Sequence, residues 1–307
     1  MKYLRLSLLI WVVFTIAALS PLLGPAPYAS QKLDTGKIEQ AIGIKGEAKD
    51  GEYKISIPQK DLAVSVDGFR ITPPMGLTTW IGFTPMQDMQ DGAMIMGDIV
   101  VDEREVGPVE KTAIDQGLHV TGLHNHFVRD DHKVMFMHIE GMGPTEKMAQ
   151  SVRMVLNRIS ELRHGNPAEG QAQPVESKIN TAKLESILGQ KGQMNSGVFK
   201  VVIGRPDVKL TDHGMPVTSF MGFNTWAAFQ GTEDKAAVAG DFAMLEPEVQ
   251  NVIDALVRHG IEVVAVHNHM VTENPRIFFL HYWGEGPANR LAEGLKAALD
   301  QTGKTMG

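Results

Sequence analysis

His124-Asn125-His126, followed by His138, Gly141, Gly143 and Pro144, returns later in the chain as His267-Asn268-His269, His281, Gly284, Gly286 and Pro287. Working outward, Gly117 matches Gly260 and Gly97-Asp98 matches Gly240-Asp241. Across one small loop shift, Gly76, Thr79, Trp80 and Phe83 match Gly222, Thr225, Trp226 and Phe229. Ile38 to Thr72 aligns with Leu184 to Thr218 at constant offset, placing Gly43, Lys45, Gly46, Gly51 and Lys54 on Gly189, Lys191, Gly192, Gly197 and Lys200. So many matches in order mean an internal duplication, which has to be read before any fold is assigned.

Each copy carries the same element signals. Helices are expected near 34–43 and 180–189, and in the first copy strands near 52–57, 62–71, 75–84 and 92–101, separated by Gly and Pro. A helix over about 103–117 follows, acidic at its start and closed by Gly117; its counterpart runs from Glu246 to His259. Adjacent strands at 118–128 and 133–140 come next, and amphipathic helices at 144–162 and 287–300 end the copies. Strands and helices in blocks, without strict alternation, predict an α+β fold: two tandem units, each a largely antiparallel sheet packed with two to three helices. The units span 31–164 and 179–307, joined by a Pro-, Gly- and Gln-rich linker at 165–178.

Residues two apart on a strand share a face, so His124 and His126 point together, and His138 faces them from the next strand. A tight hairpin centred on Asp131 and His132 would set His126 opposite His138 and His124 opposite Glu140. The same register in copy two sets His269 opposite His281 and His267 opposite Trp283. Three imidazoles at that spacing suit a transition metal, with zinc first and iron, manganese, copper or nickel as alternatives. Glu140 is then a fourth ligand or general base, the candidate catalytic residue. Asp98 and Asp241 are candidate fourth ligands or, with Asn125 and Asn268, groups that orient a ligating histidine. Trp80, Trp226 and Trp283 are candidates for a ligand pocket, though a Trp at such positions is more often core. Each copy is expected to hold its own site, the second being the more open. Met86, Met89, Met94 and Met96 offer thioethers suited to Cu(I), but Met also fills irregular cores.

Composition narrows the classes. The 307 residues carry a net charge of −7, with 43% hydrophobic and 21% charged residues and no cysteine. A nucleic-acid partner is not expected, because phosphate binding needs clustered Lys and Arg. Cysteine nucleophiles, disulfides and Cys-based zinc sites are excluded. The consecutive His-Asn-His is unlike the nuclease motif of that name, which spreads over tens of residues, and no GxSxG or HExxH pattern occurs. A basic Met1-Lys2-Tyr3-Leu4-Arg5, an apolar run to about Leu23 and small residues up to Ala29 predict a secretory signal peptide over 1–30. An uncleaved membrane anchor is the alternative. Either way the remainder is expected outside the cytoplasm, with membrane contact only through that segment.

Ala265-Val266-His267-Asn268-His269-Met270, then Pro275 through Gly284 and Gly286-Pro287-Ala288 with Leu291-Ala292 and Leu295, resembles the signature of the LppY/LpqO family. The resemblance covers Leu33 to Leu299. It implies a bacterial exported protein with a tandem domain of unknown function; members of that family are lipoproteins, and this chain lacks the cysteine that would carry the lipid. Two functions compete on these observations. One is an extracytoplasmic metal-binding protein, with a metalloenzyme as its catalytic form. The other is a non-catalytic cell-envelope module holding a small polar or glycan ligand on its His/Trp faces.

Overall fold

The computed structural model describes residues 32–164 and 175–303. The expected signal segment 1–30 and most of the expected linker lie outside them. In repeat one, α1 (Thr35–Ile42) leads into β1 (Glu47–Lys49), β2 (Glu52–Pro58), β3 (Val64–Val66), β4 (Phe69–Ile71), β5 (Thr78–Pro85) and β6 (Gly92–Asp102). Then come α2 (Val106–Asp115), β7 (His119–His124), β8 (Val134–Pro144) and α3 (Thr145–His164). Repeat two begins with α4 (Thr181–Leu188), β9 (Gly192–Asn195), β10 (Val198–Gly204), β11 (Thr211–Asp212), β12 (Met215–Pro216), β13 (Asn224–Gly231) and β14 (Ala236–Leu245). It continues with α5 (Glu246–Arg258), β15 (Glu262–His267), β16 (Ile277–Gly286) and α6 (Ala288–Leu299). The fold is α+β, and the two sheets have equivalent orders, β1-β2-β5-β6-β8-β7 and β9-β10-β13-β14-β16-β15, with every pairing antiparallel.

Local chemistry explains the matching starts. Asp34 and Asn180 cap the first helix of each repeat, their side chains accepting from the Lys37 and Lys183 N–H groups at 3.1 Å. The stretch expected as one strand over 62–71 is instead the hairpin β3–β4. Its turn puts Asp67 in the left-handed region (φ 50°), as β11–β12 does with His213 (φ 48°). The acidic residues expected in the first turn of the next helix precede it: Glu105 accepts from the Asp102 N–H at 2.8 Å and is paired with Arg163.

The two faces of each sheet do different work. Ile95, Ile99, Val101, Met137 and Ile139 pack with α1, α2 and α3 side chains in a core confined to repeat one. Val238, Phe242, Met244, Leu280 and Tyr282 do the same with α4, α5 and α6 in repeat two. The alternate residues of the same strands turn the other way, into cores drawn from both repeats. Val100 and Phe136 join Ala237, Ala239 and Trp283, while Met94 and Met96 join Leu210, Met221 and Phe279. The layers therefore run helices, sheet, sheet, helices, and β6 is buried along its whole length because both faces are covered. Met94 and Met96 fill this seam as apolar side chains. No helix among the described residues is long and apolar enough to cross a membrane.

Each small hairpin crosses the seam. Gly76, which precedes β5, lies on Trp226 of the other repeat, and Gly222 lies on Trp80. A Cβ at Gly222 would sit 2.9 Å from the Trp80 ring, and its φ of 96° is itself unfavourable for other residues. The reciprocal contacts relate the repeats by a pseudo-two-fold axis through the seam.

Candidate metal centre

The histidines meet on that axis. A β-bulge between Val120 and Gly122, repeated between Val263 and Ala265, shifts the parity of β7 and β15. Leu118 and Val120 therefore pack toward the helices, while His124 and His267 turn to the seam beside His138 and His281. Unbroken strand alternation would have put Leu118, Val120 and His124 on one face. The expected register is corrected as well. His124 lies opposite Phe136, His138 opposite Gly122 and Glu140 opposite His119; in repeat two His267 lies opposite Phe279, His281 opposite Ala265 and Trp283 opposite Glu262. The connection after β7 is a loop from 125 to 133 rather than a tight hairpin, and His126 and His269 lie just past the strand ends.

All six histidines form one cluster, not one site per repeat. Their rings pair across the seam: His124 on His267 at 3.7 Å between centroids, His126 on His281 at 3.7 Å, His138 on His269 at 3.9 Å. Phe136 and Phe279 close the outer faces of His126 and His269. Three sets of donor atoms converge closely enough to hold a metal ion: His124, His126 and His281; His124, His138 and His267; and Asp241, His267 and His269. Two of the three mix the repeats.

The electrostatics favour neutral imidazoles. Burial, with mutual repulsion inside the cluster, holds His124, His126, His267 and His269 well below the usual histidine range. Burial takes His138 and His281 down to about 3. His281 Nδ1 donates to the Gly240 carbonyl at 3.0 Å, and Gly97 plays the same part for His138, so Nε2 of each is left with a lone pair facing the cluster. The glycine before each aspartate thus orients one histidine. The aspartates lie close by: Asp241 Oδ2 is 3.6 Å from His269 Nε2 and 4.0 Å from His281 Nε2, and Asp98 Oδ2 is 4.0 Å from His126 Nε2. Burial raises Asp98 to about 8, against the pull of Lys54, and raises Asp241 well above its ordinary value.

Other expected residues have different surroundings. Glu140 is outside the cluster, with Oε1 3.5 Å from His119 and 3.3 Å from His213. The bulge and the longer connection move it there, so it serves neither as fourth ligand nor as base for these histidines. Asn125 and Asn268 donate to the carbonyls two residues on, Phe127 and Met270, at 2.7 Å, and so hold the turns after the strands. Trp283 is 2% exposed, packs in the core shared by the repeats and donates to Asp67 at 3.0 Å. Trp80 and Trp226 are covered by Lys54 and Lys200, whose ammonium groups stand 4.2 and 4.1 Å from the ring centroids. Burial lowers both lysines to about 8. These two were already visible as matched positions of the repeat; nothing in the period of the strands marked them as seam residues. Beside Trp80, His138, His269 and Phe279 lies a cavity of about 10 Å³, room for about one water.

The chain belongs to a family described as Domain of Unknown Function (DUF1259), which matches it twice, at residues 36–158 and 182–301. This match replaces the LppY/LpqO resemblance read from the histidine segments, and it accounts for the tandem organisation. No curated protein matches the chain in sequence. Among solved structures, EtuB from Clostridium kluyveri aligns at 9% identity over 84% of this chain and 89% of its own, with a TM-score of 0.20. The trimeric bacterial microcompartment shell protein PduB aligns at 11% identity over 85% and 91%, also with a TM-score of 0.20. The double-ringed trimeric shell protein MSM0271 of the RMM microcompartment aligns at 9% identity over 80% and 95%, with a TM-score of 0.19. Likeness at that level carries no functional argument.

Proposed function

We propose that this protein holds a divalent transition metal, zinc in the first instance, in the histidine cluster between its repeats, and that it does so outside the cytoplasm as a component of the cell envelope. The observation that carries the reading is a set of buried imidazole nitrogens without partners: His124 Nδ1, both nitrogens of His126, His138 Nε2 and His267 Nδ1. Buried polar atoms in folded proteins almost always find a partner, and so many orphans in one place imply a bound group. Spacing agrees. His124 Nε2 and His281 Nε2 are 3.2 Å apart, as are His267 Nε2 and His269 Nε2. Two nitrogens bound to one tetrahedral zinc are about 3.3 Å apart, from metal–nitrogen distances of about 2.0–2.1 Å.

His124, His126 and His281 would hold an ion on one side of the axis; His267 and His269, with Asp241 as a carboxylate ligand, would do so on the other. A bound cation would also favour the ionised forms of Asp241 and Asp98, which burial disfavours. Metal bound here supplies Lewis acidity and can acidify a water ligand. The surroundings favour retention over turnover, because the adjoining cavity admits about one water and nothing larger. With ligands drawn from both repeats, the ion would clamp one sheet to the other. The apolar N-terminal segment and its small-residue end support export.

The test is metal content of the untagged mature chain by mass spectrometry, as purified and after reconstitution. At least one equivalent of transition metal is expected, with loss in His124→Ala and His267→Ala. A chain that takes up no stoichiometric transition metal after reconstitution refutes the reading.

A further inference from the structure

Away from the histidine cluster, a second group of donors gathers where the tip of β11–β12 meets the sheet of repeat one. Glu140, on β8, is 3% exposed, and Asp212 is fully buried. His213, at the exposed tip, brings Nε2 to 3.3 Å from Glu140 Oε1, and His119 approaches the same oxygen at 3.5 Å. One ligand atom each from Glu140, Asp212 and His213 lies within 4.8 Å of the others.

Two further observations point to a missing cation. Glu140 Oε2 and Asp212 Oδ2 are buried without a hydrogen-bond partner, although Asp212 Oδ1 accepts from Thr272 at 2.6 Å. A histidine–carboxylate pair alone would leave both oxygens orphaned. Moreover, the equivalent joint of the other repeat supplies partners for its carboxylate. At the equivalent positions of the other repeat, Trp283 stands for Glu140, Val66 for Asp212 and Asp67 for His213. There Asp67 accepts from Trp283 Nε1 at 3.0 Å and is ion-paired with Arg129 at 2.8 Å. The same hairpin-on-sheet joint holds one carboxylate beside a cation in one case, and two carboxylates with partnerless oxygens in the other.

We infer that Glu140, Asp212 and His213, with His119 at its edge, form a second divalent-cation site that is separate from the histidine cluster and takes a manganese-class ion. Two carboxylates and an imidazole are a harder donor set than clustered histidines, which suits manganese or ferrous iron and leaves positions for water. The exposed side of His213 gives the ion a route in from solvent. Because this site uses only residues outside the cluster, it stands even where the cluster proves metal-free.

The test follows Mn²⁺ binding to the full mature chain by electron paramagnetic resonance, where bound ion loses the free six-line signal. Saturable binding is expected in the wild type and in His124→Ala. Glu140→Gln, Asp212→Asn and His213→Gln should each weaken it by about tenfold or more, the scale on which even supporting groups act at metal sites. His213→Gln, at an exposed tip, keeps the test open if either buried variant misfolds. The inference is overturned if the wild type binds no Mn²⁺ saturably. It is also overturned if the three variants bind normally, or if binding disappears in His124→Ala while surviving in them.

Discussion

Acidification of the metal-free chain tests the buried cluster directly. Burial holds His138 and His281 at about 3, against an ordinary value of 6.5. Between those values the unfolded chain takes up protons that the folded chain refuses, so stability present above pH 6.5 is lost as the pH falls. Each such histidine costs about 1.4 kcal/mol per pH unit, reaching about 2 kcal/mol at pH 5. The two together cost about 4 kcal/mol there, a large part of the roughly 5–15 kcal/mol that holds a typical domain. The other four histidines shift in the same direction. Asp98, Asp241 and Glu140, raised by burial, run the opposite way and offset part of the six. Because those carboxylates act across the whole range while the histidines act only below pH 6.5, the part due to His138 and His281 is read as the difference between the wild type and a variant lacking both. The assay is urea unfolding by circular dichroism in chelator at pH 7.5, 6.5, 5.5 and 5.0, on the wild type and on His138→Gln/His281→Gln. From pH 7.5 to 5.0 the wild type should lose about 4 kcal/mol more stability than the double variant. A double variant whose stability varies with pH as the wild type's does refutes the reasoning.

Two further outcomes follow from the seam, and a third from an ion pair within repeat two. His124→Ala and His281→Ala, on different repeats, should be strongly non-additive in zinc affinity measured by competition titration, because both serve one ion; additive losses would return the histidines to separate sites. Gly222→Ala should destabilise by about 1–3 kcal/mol in denaturant unfolding, since its φ of 96° and the Trp80 ring at 2.9 Å both oppose a Cβ. A neutral result there would mean that the two repeats are docked differently. Arg205→Met should cost about 3–5 kcal/mol, because it strips buried Glu248 of its arginine and of hydrogen bonds at 2.8 and 2.9 Å, leaving the backbone N–H groups of Leu245 and Gly303 to hold the charge. Urea unfolding of that variant with an unchanged midpoint would show the pair to be energetically idle.

The pseudo-two-fold arrangement gives the duplication a physical purpose. One repeat alone would expose the seam face of its sheet, including Met94, Met96, Val100 and Phe136 in repeat one. Docking two copies buries both faces and brings six imidazoles into a volume from which water is largely excluded. The exchange of hairpins and glycine–tryptophan contacts fixes the approach, while Glu140 and Trp283 mark where the two halves have diverged.

Much of this was legible in the residues themselves. The duplication, the α+β class and the helix starts at Asp34 and Asn180 follow from local chemistry, and the six histidines stood out because both copies repeat them. Which histidines share an ion did not follow. Strand periodicity carries no sign of the bulges after Val120 and Val263, and a bulge inverts the face of every later residue on its strand. Nor can the pattern of one repeat reveal that its histidines pair with those of the other, since that depends on how two distant sheets dock. His213 and Asp212 lie far from Glu140 along the chain, and only the hairpin crossing the seam brings the three together. Local chemistry therefore determined the units and their ligand types, and the long-range packing of sheet on sheet decided the sites.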